Sequence, residues 1–133
     1  MILSRKKPYS KRGLFNRSIG KWGENEAYKF LKQQGYKILR RNYRVMGGEI
    51  DLIVSKGDTL VFVEVKAQEG VGPISPEMRV GPVKQRQIIK KAKYYLSRTR
   101  KTYGEIRLDV ISVCRTNSGP EISHIEGAFD AGQ

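Results

Sequence analysis

Between Gly47 and Lys66 the chain reads GGEIDLIVSKGDTLVFVEVK. Two apolar runs, Ile50 to Val54 and Leu60 to Val65, flank SKGDT, a hairpin turn signature. A loop of two residues at Gly57-Asp58, or of four, pairs Lys56 with Thr59 and thereby fixes every pair behind it. Ile53 then faces Phe62, Asp51 faces Glu64, and Glu49 faces Lys66, all on one face of the sheet. Val61, Val63 and Val65 point to the other face.

Facing residues have Cβ atoms about 4.5–5.5 Å apart, so this register sets two carboxylates side by side against their mutual repulsion. A divalent cation between Asp51 and Glu64 removes the difficulty, and Lys66 points to the same place. Carboxylate oxygens with a backbone carbonyl form a hard site that suits Mg²⁺ or Mn²⁺. A lysine beside a metal-bound water can orient it or stabilise charge in attack on a phosphodiester. The spacing therefore points to metal-dependent phosphodiester hydrolysis at Asp51, Glu64 and Lys66. The plainer reading is a wet sheet face, on which Glu49 and Glu64 form surface ion pairs with Lys66 that are worth little.

Charge agrees with a polyanionic partner. The 133 residues carry 26 Lys+Arg against 13 Asp+Glu, a formal +13, which suits nucleic acid first and a membrane surface second. One cysteine, Cys114, excludes an intrachain disulfide and a cysteine-rich zinc site, and it suits a reducing compartment. No apolar run approaches the roughly 20 residues that span a bilayer, and the basic N-terminus lacks the apolar stretch of a secretory signal. The cytoplasm is the expected location.

The length suits one domain. Residues 1–17 hold six basic residues and no acid, and are expected to form a flexible basic arm ahead of a domain over 18–133. GKWGENEAYKFLKQQ (Gly20 to Gln34) places Ala27, Phe30 and Leu31 on one helical face, and Gly35 stops the helix. YKILRRNYRV (Tyr36 to Val45) reads as a strand. Ala67 to Pro82 is rich in proline and glycine and reads as a loop. A second helix is expected from Val83 to Arg98, then strands over Glu105 to Cys114 and in EISHI. The order αβββαβ, with a further short strand, predicts an α/β fold with a mixed central sheet flanked by helices.

Asp51 followed by Glu64-Val65-Lys66 at the end of an apolar strand resembles the PD-(D/E)xK signature of the restriction-endonuclease-like superfamily. The series GxxGE (Gly20 to Glu24), RRNYR (Arg40 to Arg44), GEIDLI (Gly48 to Ile53), FVEVK (Phe62 to Lys66), VKQRQIIKKAKYYL (Val83 to Leu96), RLDVISV (Arg107 to Val113) and HIEGAF (His124 to Phe129) resembles the YraN-like family. That group of small bacterial proteins is thought to be related to archaeal Holliday junction resolvases. The resemblance implies a restriction-endonuclease-like αβββαβ nuclease core acting on DNA, branched or otherwise structured DNA included. Asp51 and Glu64 would be metal ligands and Lys66 would stand beside the attacking water. It adds Glu24, from the first helix, as a third acid and ligand. Resolvase-like relatives work as dimers, so a homodimer is a further expectation. The sequence departs from the pattern at Gln68, where the family often has a basic residue, and this bears on a contact to substrate phosphate.

Between Met78 and Gly104 the chain is basic and contains no acid. On a helical projection Lys84 and Lys91 border the apolar stripe, while Arg86, Lys90 and Lys93 lie opposite. Lys84 is expected to face the catalytic side. Arg86, Lys90, Lys91 and Lys93, with Arg40, Arg41 and Arg44, are expected to meet phosphate backbone largely without regard to sequence. Asp109 is expected to pair with Arg107, Cys114 to lie in the core, and His124 to take no part in catalysis. A nucleic-acid binder that keeps a nuclease fold without turnover is the alternative function.

Overall fold

The computed structural model describes residues 11–70 and 80–129, with side chains from Ser18 onward. Helix α1 spans Lys11–Gln33 and strands β1, β2 and β3 span Lys37–Val45, Gly48–Lys56 and Thr59–Glu69. Helix α2 follows over Pro82–Arg98, then β4 over Glu105–Thr116 and β5 over Gly119–Ile125. Of the segment expected to be a basic arm, residues 1–10 lie outside the described residues, and residues 11–17 form the start of α1.

The five strands form one sheet in the order β1-β2-β3-β4-β5. Three neighbouring pairs are antiparallel, whereas β3 and β4 run parallel and are joined through α2. This is the mixed, helix-flanked α/β sheet that the element order requires. Ala67–Glu69, expected in a loop, instead continue β3. Their partners Val113, Cys114 and Arg115 on β4 extend the parallel ladder to its last pair, supplying backbone hydrogen bonds where side-chain patterning gives no strand signal.

Two apolar clusters cover the two faces. Ala27 and Leu31 of α1 pack with Leu52, Val54, Val61, Val63, Ile111 and Val113. Ile88 and Ala92 of α2 pack with Ile50, Ile53, Leu60, Phe62, Leu108 and Val110. Alternating side chains along the central strands thus serve both layers. Cys114 is buried in the core. Among the described residues no helix is long and apolar enough to cross a membrane.

The hairpin register agrees with the sequence over Leu52↔Val63, Ile53↔Phe62, Val54↔Val61, Ser55↔Leu60 and Lys56↔Thr59. Toward Asp51 the regular pattern ends. Ile50 and Ile53 both join the α2-side cluster although they are an odd number of residues apart. The period-two alternation therefore breaks at Asp51, beside the place where the sheet changes chemistry.

Candidate metal centre and its cleft

Helix α1 approaches β3 closely at Gly23, which is buried. A Cβ at this position would stand 2.6 Å from the Cβ of Ala67. Only glycine lets the helix backbone come this near, and the next residue, Glu24, is thereby carried to the end of the sheet. Gly23→Ala is expected to destabilise the fold by about 1–3 kcal/mol through overpacking, read as a lower urea midpoint with an unchanged slope. Full stability in this variant would mean that the contact is not a tight one.

Three carboxylates, one from α1 and two from β2, meet there. Ligand oxygens of Glu24, Glu49 and Asp51 all lie within 4.8 Å of one another. Metal–oxygen bonds to Mg²⁺ or Ca²⁺ are about 2.0–2.6 Å, so oxygens at this spacing can share one ion. The donor set is all oxygen and suits a hard divalent cation such as Mg²⁺ or Mn²⁺.

Asn42 ties two of these acids together, its side-chain nitrogen lying 2.9 Å from Glu24 Oε1 and 3.2 Å from Glu49 Oε2. It adopts a φ of +49°, the left-handed region that asparagine tolerates better than most residues. The asparagine of RRNYR thus has a structural task, which is to hold Glu24 and Glu49 together.

Asp51 is the electrostatic centre. Its Oδ2 accepts the backbone N–H of Val65 at 2.8 Å, so a side chain occupies a donor of β3 just past the last pair of the hairpin ladder. Burial raises its pKa most, the negative charge of Glu64 adds to this, and Glu24 and Glu49 contribute further. The Val65 N–H works in the opposite direction, and the outcome is about 8. A carboxyl held that far above its ordinary value is in a site short of positive charge.

Glu64, 8% exposed, stands outside the trio but influences Asp51 directly. Its Oε2 lies 3.8 Å from Lys66 Nζ and 3.7 Å from Lys84 Nζ. Burial raises its pKa, while Lys84 and Lys66 pull the other way. Lys66 therefore pairs with Glu64. Glu49, expected opposite Lys66, instead meets Asn42 and lies 3.8 Å from Arg44, because the strands leave the simple register where alternation breaks.

The acids open into a cleft of about 640 Å³ whose lining includes Glu49, Asp51, Lys84, Gln87, Lys90 and Lys91. Lys84 faces the acids, as its place beside the apolar stripe implies. Lys91 differs from expectation. It is buried, at 7% exposure, alongside Ile88 and Ala92, so it forms part of the cleft wall and not of an outer phosphate-binding face. A Cβ on Gly48 would lie 2.7 Å from Lys91 Cε, so glycine makes room for this lysine.

The other expected binding residues are spread out. Arg86 and Lys93 are exposed on α2 and do not line the cleft. Arg41 donates to Asn25 Oδ1 at 2.6 Å and lies over the Tyr28 ring. Arg40 lies over Tyr43, and Gln68 is half-buried on β3 opposite Cys114. Glu49 and Asn42 are the members of the site that sequence reasoning did not select. Glu49 carried a faint signal, since it precedes Asp51 by two residues.

The fold and this acid-lined cleft together define a restriction-endonuclease-like α/β protein. More narrowly, the chain belongs to the YraN family: the profile of the Uncharacterised protein family UPF0102 matches residues 23–113. This span contains Glu24, Asn42, Glu49, Asp51, Glu64, Lys66 and Lys84. A UPF0102 protein of Syntrophotalea carbinolica is 43% identical over 113 residues, covering 85% of this chain and 92% of the relative. One of Geobacter metallireducens is 43% identical over 88% of this chain and 96% of its own. One of Syntrophomonas wolfei is 42% identical over 86% and 99%.

Proposed function

We propose that this protein is a metal-dependent nuclease that hydrolyses phosphodiester bonds of DNA, structured or branched DNA in particular, with Mg²⁺ or Mn²⁺. The observation that carries this reading is the convergence of Glu24, Glu49, Asp51 and Glu64 beside two lysines, at the mouth of a cleft walled by basic residues of α2. Folding alone gives no reason to bring four acids together, whereas a dication does.

Glu24, Glu49 and Asp51 would hold the ion, with Glu64 on the lysine side of Asp51. When bound, Mg²⁺ or Mn²⁺ supplies Lewis-acid activation of the phosphodiester and a water of lowered pKa. The chain's own residues do the rest. Lys66 and Lys84 flank Glu64, where they orient a water or stabilise negative charge on the phosphate. Lys90 and Lys91 draw the strand's phosphates into the cleft. Asn42 keeps Glu24 and Glu49 in position, a supporting role of the kind whose loss typically weakens metal affinity 10–100-fold. The formal charge of +13 favours a polyanionic substrate over a small one.

The test is a Mn²⁺ titration followed by a panel of labelled linear, flapped and four-way DNA with and without metal. The expected result is saturable Mn²⁺ binding and metal-dependent cleavage of at least one structure. A protein that binds these DNAs but neither takes up Mn²⁺ nor cuts any of them would instead be a non-catalytic nucleic-acid binder.

A further inference from the structure

A second cleft lies on the α2 side of the sheet, apart from the acids. Its volume is about 420 Å³ and it is lined by Arg40, Tyr43, Tyr95, Arg98, Thr99 and Arg100. All three arginines are exposed. Among the described residues none of them forms an ion pair with a carboxylate, and no acid lines the cleft. The C-terminal dipole of α2 gives Arg98 a reason to sit in its last turn. It gives none for Arg40, which comes from β1, or for Arg100 beyond the helix. Three guanidinium groups around one cavity repel one another until an anion enters, and their planar forks match the oxygens of a phosphate.

Helix α2 connects this cleft with the one over the acids. Lys84, Gln87 and Lys91 line the first; Tyr95 and Arg98 line the second. These five residues follow one another at spacings of three, four, four and three, which places them on a single helical stripe. From Lys91 to Arg98 the helix rises about 10 Å. A strand of duplex DNA carries a phosphate roughly every 3.4 Å along its axis, so this rise corresponds to about three nucleotides.

We infer that the Arg40–Arg98–Arg100 cleft holds a backbone phosphate of the nucleic-acid strand, about three nucleotides from the position over the acids. Tyr43 and Tyr95 form its floor, their rings edge to face at 5.4 Å, with Arg40 above Tyr43. The inference takes from the proposed nuclease reading only the identity of the strand's reacting end; the anion site stands on its own lining. The substrate it selects is a polynucleotide long enough to span both clefts, and a mononucleotide or dinucleotide reaches only one.

The experiment is fluorescence anisotropy on the full chain in EDTA, with labelled oligodeoxyadenylates of two to twelve nucleotides, whose stacked strands keep a duplex-like spacing, at several salt concentrations. Affinity is expected to rise by about tenfold once the strand exceeds roughly four nucleotides, the span set by the helix rise. Arg40→Glu/Arg98→Glu should erase that step and lower the slope of log affinity against log salt by about one per lost phosphate contact. A charge-matched control at exposed lysines elsewhere, Lys21→Glu/Lys37→Glu, should keep the step. Loss of the step in the control as well, or its survival in the arginine variant, would overturn the assignment. Displacement of the long strands by micromolar inorganic phosphate would also overturn it, making the cleft a free-phosphate site. Mn²⁺ titration and cleavage are scored separately. A length step without metal uptake sinks the nuclease reading and leaves this site standing, and metal uptake with cleavage but no step does the reverse.

Discussion

Asp51→Asn is expected to make the metal-free protein more stable while abolishing Mn²⁺ uptake and cleavage. Asp51 has its pKa raised from 3.8 to about 8, by burial first and then by Glu64 and the other acids. A group whose folded-state pKa lies above its unfolded one contributes stability below the unfolded value, and this is lost as pH rises through the folded value. For Asp51 the loss therefore runs from about pH 4 to about pH 8. One pKa unit corresponds to about 1.4 kcal/mol, so at pH 7, where the folded carboxyl stays largely protonated and the unfolded one ionises, the difference costs about 4 kcal/mol.

Asparagine has the shape of the protonated acid, can still accept the Val65 N–H, and carries no charge. In EDTA at pH 7 it should melt about 10 °C or more above the parent, and the two should converge near pH 4. Mn²⁺ at a hundred times its Kd should stabilise the parent by about 2.7 kcal/mol and leave the variant where it was. A variant less stable than the parent in EDTA would show that burial of the charge and like-charge crowding do not govern this site.

Asp109→Ala is expected to destabilise the fold by about 3–5 kcal/mol, read from urea unfolding at neutral pH. Its side chain is fully buried in β4 and serves several donors at once. Arg107 Nε and Nη2 donate to its two oxygens at 3.0 and 2.9 Å, and the Gly127 N–H donates at 3.0 Å. His124 Nε2 lies 2.6 Å away. Arg107 also donates to the Tyr36 hydroxyl at 2.7 Å, so the network ties β4 to β5 and to the start of β1. Removing the carboxylate leaves a guanidinium with too few acceptors next to the core, and that accounts for most of the loss.

The pH dependence has the opposite sign to that of Asp51. Burial alone would raise the pKa of Asp109, but the hydrogen bonds from His124, Arg107 and Gly127 outweigh it and hold it below the ordinary value. Its contribution is complete above the usual aspartate range and disappears as pH falls through the lowered value. The parent should therefore lose stability on acidification more steeply than Asp109→Ala. Parallel acid limbs would remove Asp109 from this account.

These two residues mark how far the sequence could be read. Local rules reached the hairpin, since turn chemistry and alternation place Ile53 opposite Phe62. They reached Asp51, Glu64 and Lys66 as neighbours because all three lie in that hairpin. They missed the break at Asp51, because a side chain taking a backbone N–H leaves no pattern in composition. Glu24 meets Glu49 only through the approach of α1 at Gly23, a long-range contact; the resemblance supplied it and spacing did not. The left-handed backbone at Asn42 inside a strand runs against propensity. Asp109 could be paired with Arg107 by proximity along β4, whereas His124 and Tyr36 joined it only through tertiary packing.

Among the described residues the sheet has two unpaired margins, β1 and β5, and neither invites another strand. Along β1 the pairing slips between Ile38 and Arg40, and the exposed residues that follow include Arg40, Arg41 and Arg44. A second copy laid against this margin would bring two rows of guanidinium groups into register. The opposite margin, β5, begins Gly119-Pro120, and proline has no backbone N–H to offer a newcomer. Such irregular, charged or proline-bearing borders disfavour edge-to-edge aggregation. Self-assembly by strand addition at either border is therefore disfavoured, despite the Val and Ile concentrated at the centre of the sheet.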